Sequence, residues 1–174
     1  MAATSSSGTA TVTLPTDEQI LITQEFDAPK HLVFKAWTTP ELVRRWWSGQ
    51  RGRMTVVEMD PRVGGRWRYV MVADDGTEVA FHGEYREIIP DERLVSTEVY
   101  ETEPPPSSPD DAKPEEEEGV VNIVTFTEAH ERTTLTLLVQ CPSKQVRDAI
   151  IDSGMEVGMQ EQMDLLERIA ISLR

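Results

Sequence analysis

The chain has 174 residues with 17 basic and 31 acidic side chains, a formal charge of −14 and a sequence pI near 4.6. That charge opposes nucleic acid and anionic lipid surfaces as partners, and no apolar run approaches the roughly 18 residues that suggest a transmembrane helix. The length suits one ordinary core with tails rather than two cores.

Residues 1–16 hold eight Ser or Thr and no charged side chain, so they cannot bury enough apolar surface to offset the entropy of ordering and read as a disordered tail. Lacking an Arg-rich or apolar leader pattern, they read as neither a secretory nor a transit signal. A single domain is expected over residues 17–174. It begins with a strand at residues 20–26. Asp27 is the expected cap of a first helix with Pro29 in its opening turn, which places Val33 and Trp37 four apart on one face. Thr39 and Pro40 repeat the signal for a second short helix, with Leu42 and Trp46, and Val43 and Trp47, as four-residue pairs.

Six strand-like runs follow between residues 54 and 141. Turn chemistry separates them: Asp60, Pro61, Gly64 and Gly65; Asp74, Asp75 and Gly76; Pro90 and Asp91; residues 101–119; and residues 128–131. Short connections join antiparallel neighbours. In the hairpin at Asp74–Gly76, pairing Tyr69 with Phe81 and Met71 with Val79 gathers Trp67, Tyr69, Met71, Val79, Phe81 and Tyr85 on one face and sets Arg66 opposite Glu84. A slip of one residue would mix charges into that face. Residues 101–119 contain five of the eleven prolines, eight acids and one lysine, half of the net charge. They read as a solvated loop insertion, either a tolerated expansion or an electrostatic docking arm for a basic protein partner.

The end of the chain reads as helix. Ser143 is the expected cap of a short helix holding Val146 and Ile150. Ser153 and Glu156 have the spacing of a capping box that starts a longer helix at Gly154 and carries it to Leu173. Its apolar stripe is Met155, Met159, Met163, Leu166, Ala170 and Leu173. Gly158 interrupts that helix at a cost of up to ~1 kcal/mol relative to alanine, which implies close packing, against a strand for instance, or room for a ligand. Strand, two short helices, six antiparallel strands and a long helix make an α+β fold in which a curved sheet wraps the last helix.

The histidines, His31, His82 and His130, have no spacing that places two nitrogens on one metal. His82 falls on the face opposite the aromatic one, beside Arg68. Cys141 lacks a cationic neighbour to activate it and reads as a small buried apolar residue of a protein from a reducing, cytoplasmic compartment. There is no nucleophile elbow, P-loop or dinucleotide fingerprint, so neither a catalytic residue nor a metal or other cofactor is expected.

Residues 34–47 (FKAWTTPELVRRWW) and 59–71 (MDPRVGGRWRYVM) resemble the START-like superfamily, also called SRPBCC. Within it, the chain is most similar to the group named after the activator of heat-shock-protein ATPase homologues. Residues 83–95 (GEYREIIPDERLV) and 147–169 (RDAIIDSGMEVGMQEQMDLLERI) are similar to that group's middle and C-terminal signatures. The resemblance implies a helix-grip fold with a cavity between sheet and C-terminal helix that holds apolar or amphipathic small molecules. On that basis the candidate ligand-binding residues are Trp47, Trp67, Tyr69, Phe81, Tyr85, Met155, Met159 and Met163, whereas Trp37 and Trp46 read as core of the helix pair. The expected function is that of a cytoplasmic carrier or sensor of a small hydrophobic ligand, acting as a monomer or homodimer without a defined reaction. The alternatives are a co-chaperone-like domain that stimulates a heat-shock ATPase and, third, an enzyme of the polyketide cyclase or aromatase type.

Overall fold

A computed structural model describes residues 10–101 and 119–174. Eight strands, β1 (Thr11–Thr13), β2 (Gln19–Phe26), β3 (Gly52–Met59), β4 (Arg66–Ala73), β5 (Glu78–Ile89), β6 (Arg93–Glu101), β7 (Val120–Ala129) and β8 (Arg132–Gln140), form one antiparallel sheet. Their spatial order is β1-β2-β8-β7-β6-β5-β4-β3. Helices α1 (Lys30–Thr38) and α2 (Pro40–Trp46) lie between β2 and β3, and α3 (Lys144–Asp152) and α4 (Met155–Ser172) follow β8. The result is the α+β helix-grip arrangement: a curved, unclosed sheet around a long last helix. No helix among the described residues is long and apolar enough to cross a membrane.

The hairpin of β4 and β5 has the register that its hydrophobic pattern requires, with Tyr69 opposite Phe81, Met71 opposite Val79 and Arg66 opposite Glu84. The core lies between the concave face of the sheet and the helices. Phe26, Phe126, Ile20, Ile22 and Leu135 from the strands are fully buried with Met163 and Leu166 of α4 and Val33 and Val43 of α1 and α2. The helix pair is pinned by aromatic packing, Trp37 against Trp46 at 4.9 Å and Phe34 against Phe126 at 5.5 Å between ring centroids, and the Trp46 indole donates to the Ala36 carbonyl at 3.0 Å.

Three local expectations are corrected. Thr11–Thr13, assigned to the disordered tail, form β1, which pairs with Leu21–Thr23 of β2; the hydroxyl-rich segment finds its backbone partners at a sheet edge, while residues 1–9 lie outside the described residues. Asp27 does not cap α1. The extended Pro29 holds the N-cap position, and the Asp27 carboxylate faces Arg132 and Arg174 at 3.5 and 3.9 Å. The connection is instead fixed by fully buried Thr133, whose hydroxyl donates to the Ala28 carbonyl at 2.7 Å.

The capping box of Ser153 and Glu156 does not form either. Ser153 closes α3, and its hydroxyl donates back to the Ile150 carbonyl at 2.6 Å. Gly154, at φ +82°, then turns the chain into α4 without a side-chain cap. Ser143 does cap α3, accepting from the Val146 amide. The α4 stripe faces inward, with Met159, Met163, Leu166, Ile169 and Ala170 buried, together with Glu167, whose carboxylate accepts the Asp27 amide at 2.8 Å. The acidic stretch, apart from Glu101 and Gly119, lies outside the described residues.

Candidate functional site

Between the concave sheet face and α4 is a cavity of about 620 Å³, within the range of about 300–1,000 Å³ usual for small-molecule sites. All eight candidate residues line it: Trp47, Trp67, Tyr69, Phe81, Tyr85, Met155, Met159 and Met163. Trp37 and Trp46, assigned to the core of the helix pair, also present surface to it. The aromatic wall is mutually braced. The Trp47 ring meets Tyr69 and Phe81 edge-on, both at 5.2 Å, and Trp67 lies 4.6 Å from Tyr69.

One glycine makes that wall possible. A Cβ on Gly83 would sit 1.8 Å from the Thr97 carbonyl oxygen and 2.6 Å from the Trp67 indole nitrogen. Its absence lets the indole donate to Thr97 at 3.1 Å, so the one polar atom of Trp67 is satisfied and the ring is free to cover apolar surface. Across the cavity, the side chain of Gln162 on α4 donates to the Trp47 carbonyl, tying the helix to the end of α2. Gly158 does not pack against a strand: beyond its own turn of helix, the nearest atom a Cβ there would meet is in the Arg51 guanidinium at 3.8 Å. Arg51, half-exposed at the mouth, faces Glu161 at 3.5 Å.

The polar part of the lining was not anticipated. Leu94, Ser96 and Glu98 alternate inward along β6, and Val120, Asn122 and Val124 along β7. The Asn122 amide donates to Glu98 Oε1 at 3.3 Å. Glu98 is half-buried, with part of its surface toward the cavity, and the surrounding protein disfavours its charged form. Burial therefore raises its carboxyl to about 7, and the Asn122 hydrogen bond offsets only part of the effect. Tyr69 is pushed well above the ordinary phenol range, by burial first and then by the neighbouring Tyr85 and Glu98. Tyr85 is raised to about 12 by burial. Both phenols thus remain protonated donors near neutrality, while Glu98 exchanges a proton there.

His82 lies opposite Arg68 on the outer face. There Arg68 grips Glu101 through two 2.9 Å hydrogen bonds, and His82 Nδ1 stands 3.1 Å from the same carboxylate. Cys141 is buried, and burial raises its thiol. Among the described residues no group of three or more His, Cys, Asp or Glu side chains is placed to hold a metal ion.

A family model described as "Activator of Hsp90 ATPase homolog 1-like protein" matches residues 27–170. No curated protein gives a significant match. Among solved structures, a protein from Rhodobacter sphaeroides is similar with a TM-score of 0.80 at 19% identity, over 95% of this chain and 99% of that one. Protein Ms6760 from Mycobacterium smegmatis gives 0.79 at 23% identity over 95% and 99% of the two chains. A protein from Arthrobacter aurescens gives 0.78 at 23% identity over 93% and 91%. At these identities the likeness is one of fold.

Proposed function

The chain belongs to the activator of Hsp90 ATPase homolog 1-like family, and from that premise we propose that it is a cytoplasmic carrier or sensor that binds a small hydrophobic or amphipathic molecule between its sheet and α4. One observation carries this reading: a cavity of about 620 Å³ with walls of Trp, Tyr, Phe, Met and aliphatic side chains and few polar groups. Such a lining gains binding free energy from apolar burial, at about 25 cal/mol per Å² removed from water, and uses its polar groups to orient the ligand. The methionines of α4 are flexible and polarizable, suited to ligands of differing shape. The test is titration with the neutral fluorophore Nile red. Saturable binding is expected in the wild type, and at least tenfold weaker binding in Met159→Trp, whose larger side chain fills the cavity. Unchanged affinity in a folded Met159→Trp variant would defeat the reading.

A second reading follows from the family's description, which names an activator of a chaperone ATPase, and from the acidic composition of residues 101–119. In that reading the stretch docks on a basic surface of an ATPase partner, and electrostatic attraction accelerates the encounter. Deleting residues 103–118 should then weaken ATPase stimulation most at low salt, and unchanged stimulation removes it.

A further inference from the structure

Among the described residues, the Glu98 carboxylate in the cavity has no cation paired with it. Glu98 stands on the β6 wall, and among the described residues its one hydrogen-bond partner is the Asn122 amide at 3.3 Å. A carboxylate has about four acceptor positions, so most of its hydrogen-bonding capacity is unspent. The other titratable groups lining the cavity are Tyr69 on β4, Tyr85 on β5 and Arg51 at the mouth. The two phenols are neutral, and Arg51 is engaged with Glu161 at 3.5 Å. The strands β7 and β8 offer Asn122 and aliphatic side chains, and α4 offers methionines and Gln162. An anionic ligand would meet Glu98 without a compensating charge. A neutral one would leave the ionised carboxylate desolvated and unpaired, the costly arrangement for a buried charge. A cation would meet both the carboxylate and aromatic faces, which attract positive charge through their quadrupoles.

Resting on the cavity-binding reading above, we propose that the cavity selects apolar amines, pairing the ligand's ammonium group with Glu98 beside Asn122 and packing its apolar body among Trp67, Phe81 and Met159. The raised carboxyl gives this pairing a pH signature. At pH 6 most Glu98 carboxyls hold a proton that an ammonium ligand must displace, and at pH 8 most do not. Amine affinity therefore rises about tenfold between those values, as long as the amine itself stays protonated.

The experiment is displacement of Nile red from the full chain by three matched ligands, 1-naphthylmethylamine, 1-naphthylmethanol and 1-naphthoate. At pH 8 the amine is expected to compete at least tenfold better than the alcohol, with the carboxylate weakest. Glu98→Gln, with Nile red affinity measured separately for that variant, should reduce the preference for amine over alcohol to less than threefold. In the wild type, amine affinity should fall about tenfold from pH 8 to pH 6 and alcohol affinity should not. Nile red binding with no preference for the amine, or an amine preference that survives Glu98→Gln, overturns the proposal and leaves the cavity reading intact. Should Glu98→Gln fail to fold, a wild-type amine affinity that is flat from pH 6 to pH 8 overturns it equally. Failure of Nile red and of all three ligands to bind defeats the cavity reading itself and this proposal with it.

Discussion

Asn122 on β7 reaches across to Glu98 on β6, its amide donating to Oε1 at 3.3 Å inside a cavity otherwise walled mainly by apolar side chains. The contact is polar but carries no counter-charge, so the folded state binds a proton on Glu98 more tightly than the unfolded chain does, at about 7 against 4.5. The stability that comes with the raised carboxyl is fully present below the unfolded value of about 4.5 and is lost as pH rises from there through about 7. Relative to wild type, Glu98→Gln should therefore gain about 3 kcal/mol at pH 8 and about 1 kcal/mol at pH 5. Urea denaturation of both proteins at the two pH values measures it. A pH-independent difference would mean that Glu98 is not buried in charged form.

The close approach of β5 to β6 at Gly83 is the tightest geometric requirement of the cavity wall. Gly83→Ala forces a Cβ against the Thr97 carbonyl and the Trp67 indole, and neither a backbone atom nor a braced ring can yield cheaply. A loss of more than about 3 kcal/mol is expected, since overpacking and a broken buried hydrogen bond act together. Trp67→Phe removes the indole N–H that donates to Thr97 and also truncates a buried ring, so a loss of about 2 kcal/mol is expected. A Gly83→Ala denaturation midpoint equal to that of wild type would show that the wall tolerates the added methyl.

The hairpin between β7 and β8 turns on two residues, His130 and Glu131, between paired Ala129 and Arg132. Both lie in the left-handed region, at φ +55° and +64°, where an L side chain is strained. Two-residue turns of this kind prefer glycine at the second position. Glu131→Gly is expected to raise stability by about 0.5–1 kcal/mol, the relieved strain exceeding the added entropy of the unfolded chain. Neither turn residue lines the cavity, so Nile red affinity should not change. A lower thermal midpoint would contradict this account of the turn.

Much of this architecture was legible because burial and period agree. Trp67, Tyr69, Phe81 and Tyr85 alternate with charged or small residues, so only one register keeps Arg66 opposite Glu84 and the aromatic face whole. The same logic concealed Glu98. Along β6, Val95 and Val99 alternate with Ser96 and Glu98, and a binary reading turns the valines inward. The structure does the reverse, placing Ser96 and Glu98 on the cavity with Leu94, which was the available signal, since Leu94 is buried and two-residue steps from it reach both. A cavity wall breaks the rule that apolar faces point inward because it faces a void. Asp27 and Ser153 were misread for a different reason. Each has the side chain of a cap, but other partners took it: distant arginines at Asp27 and, three residues back, the last turn of the preceding helix at Ser153.

Gly158 tests whether the mouth of the cavity is a functional constraint or a packing one. It lies within α4, where glycine is unfavourable by about 1 kcal/mol relative to alanine, and nothing in the surroundings requires it. An added Cβ would make ordinary contact with the Arg51 guanidinium at 3.8 Å and meet no backbone of another element. Gly158→Ala should therefore stabilise the protein by about 0.5–1 kcal/mol, measurable in urea. If the glycine keeps the entrance open, Gly158→Leu will lower both association and dissociation rates of Nile red, read by stopped-flow fluorescence, with little change in Kd. Because the obstruction lies at the entrance, it raises the barrier between two states without altering either. Rates equal to those of wild type would place the ligand's path elsewhere, and a destabilised Gly158→Ala would show that the glycine serves packing after all.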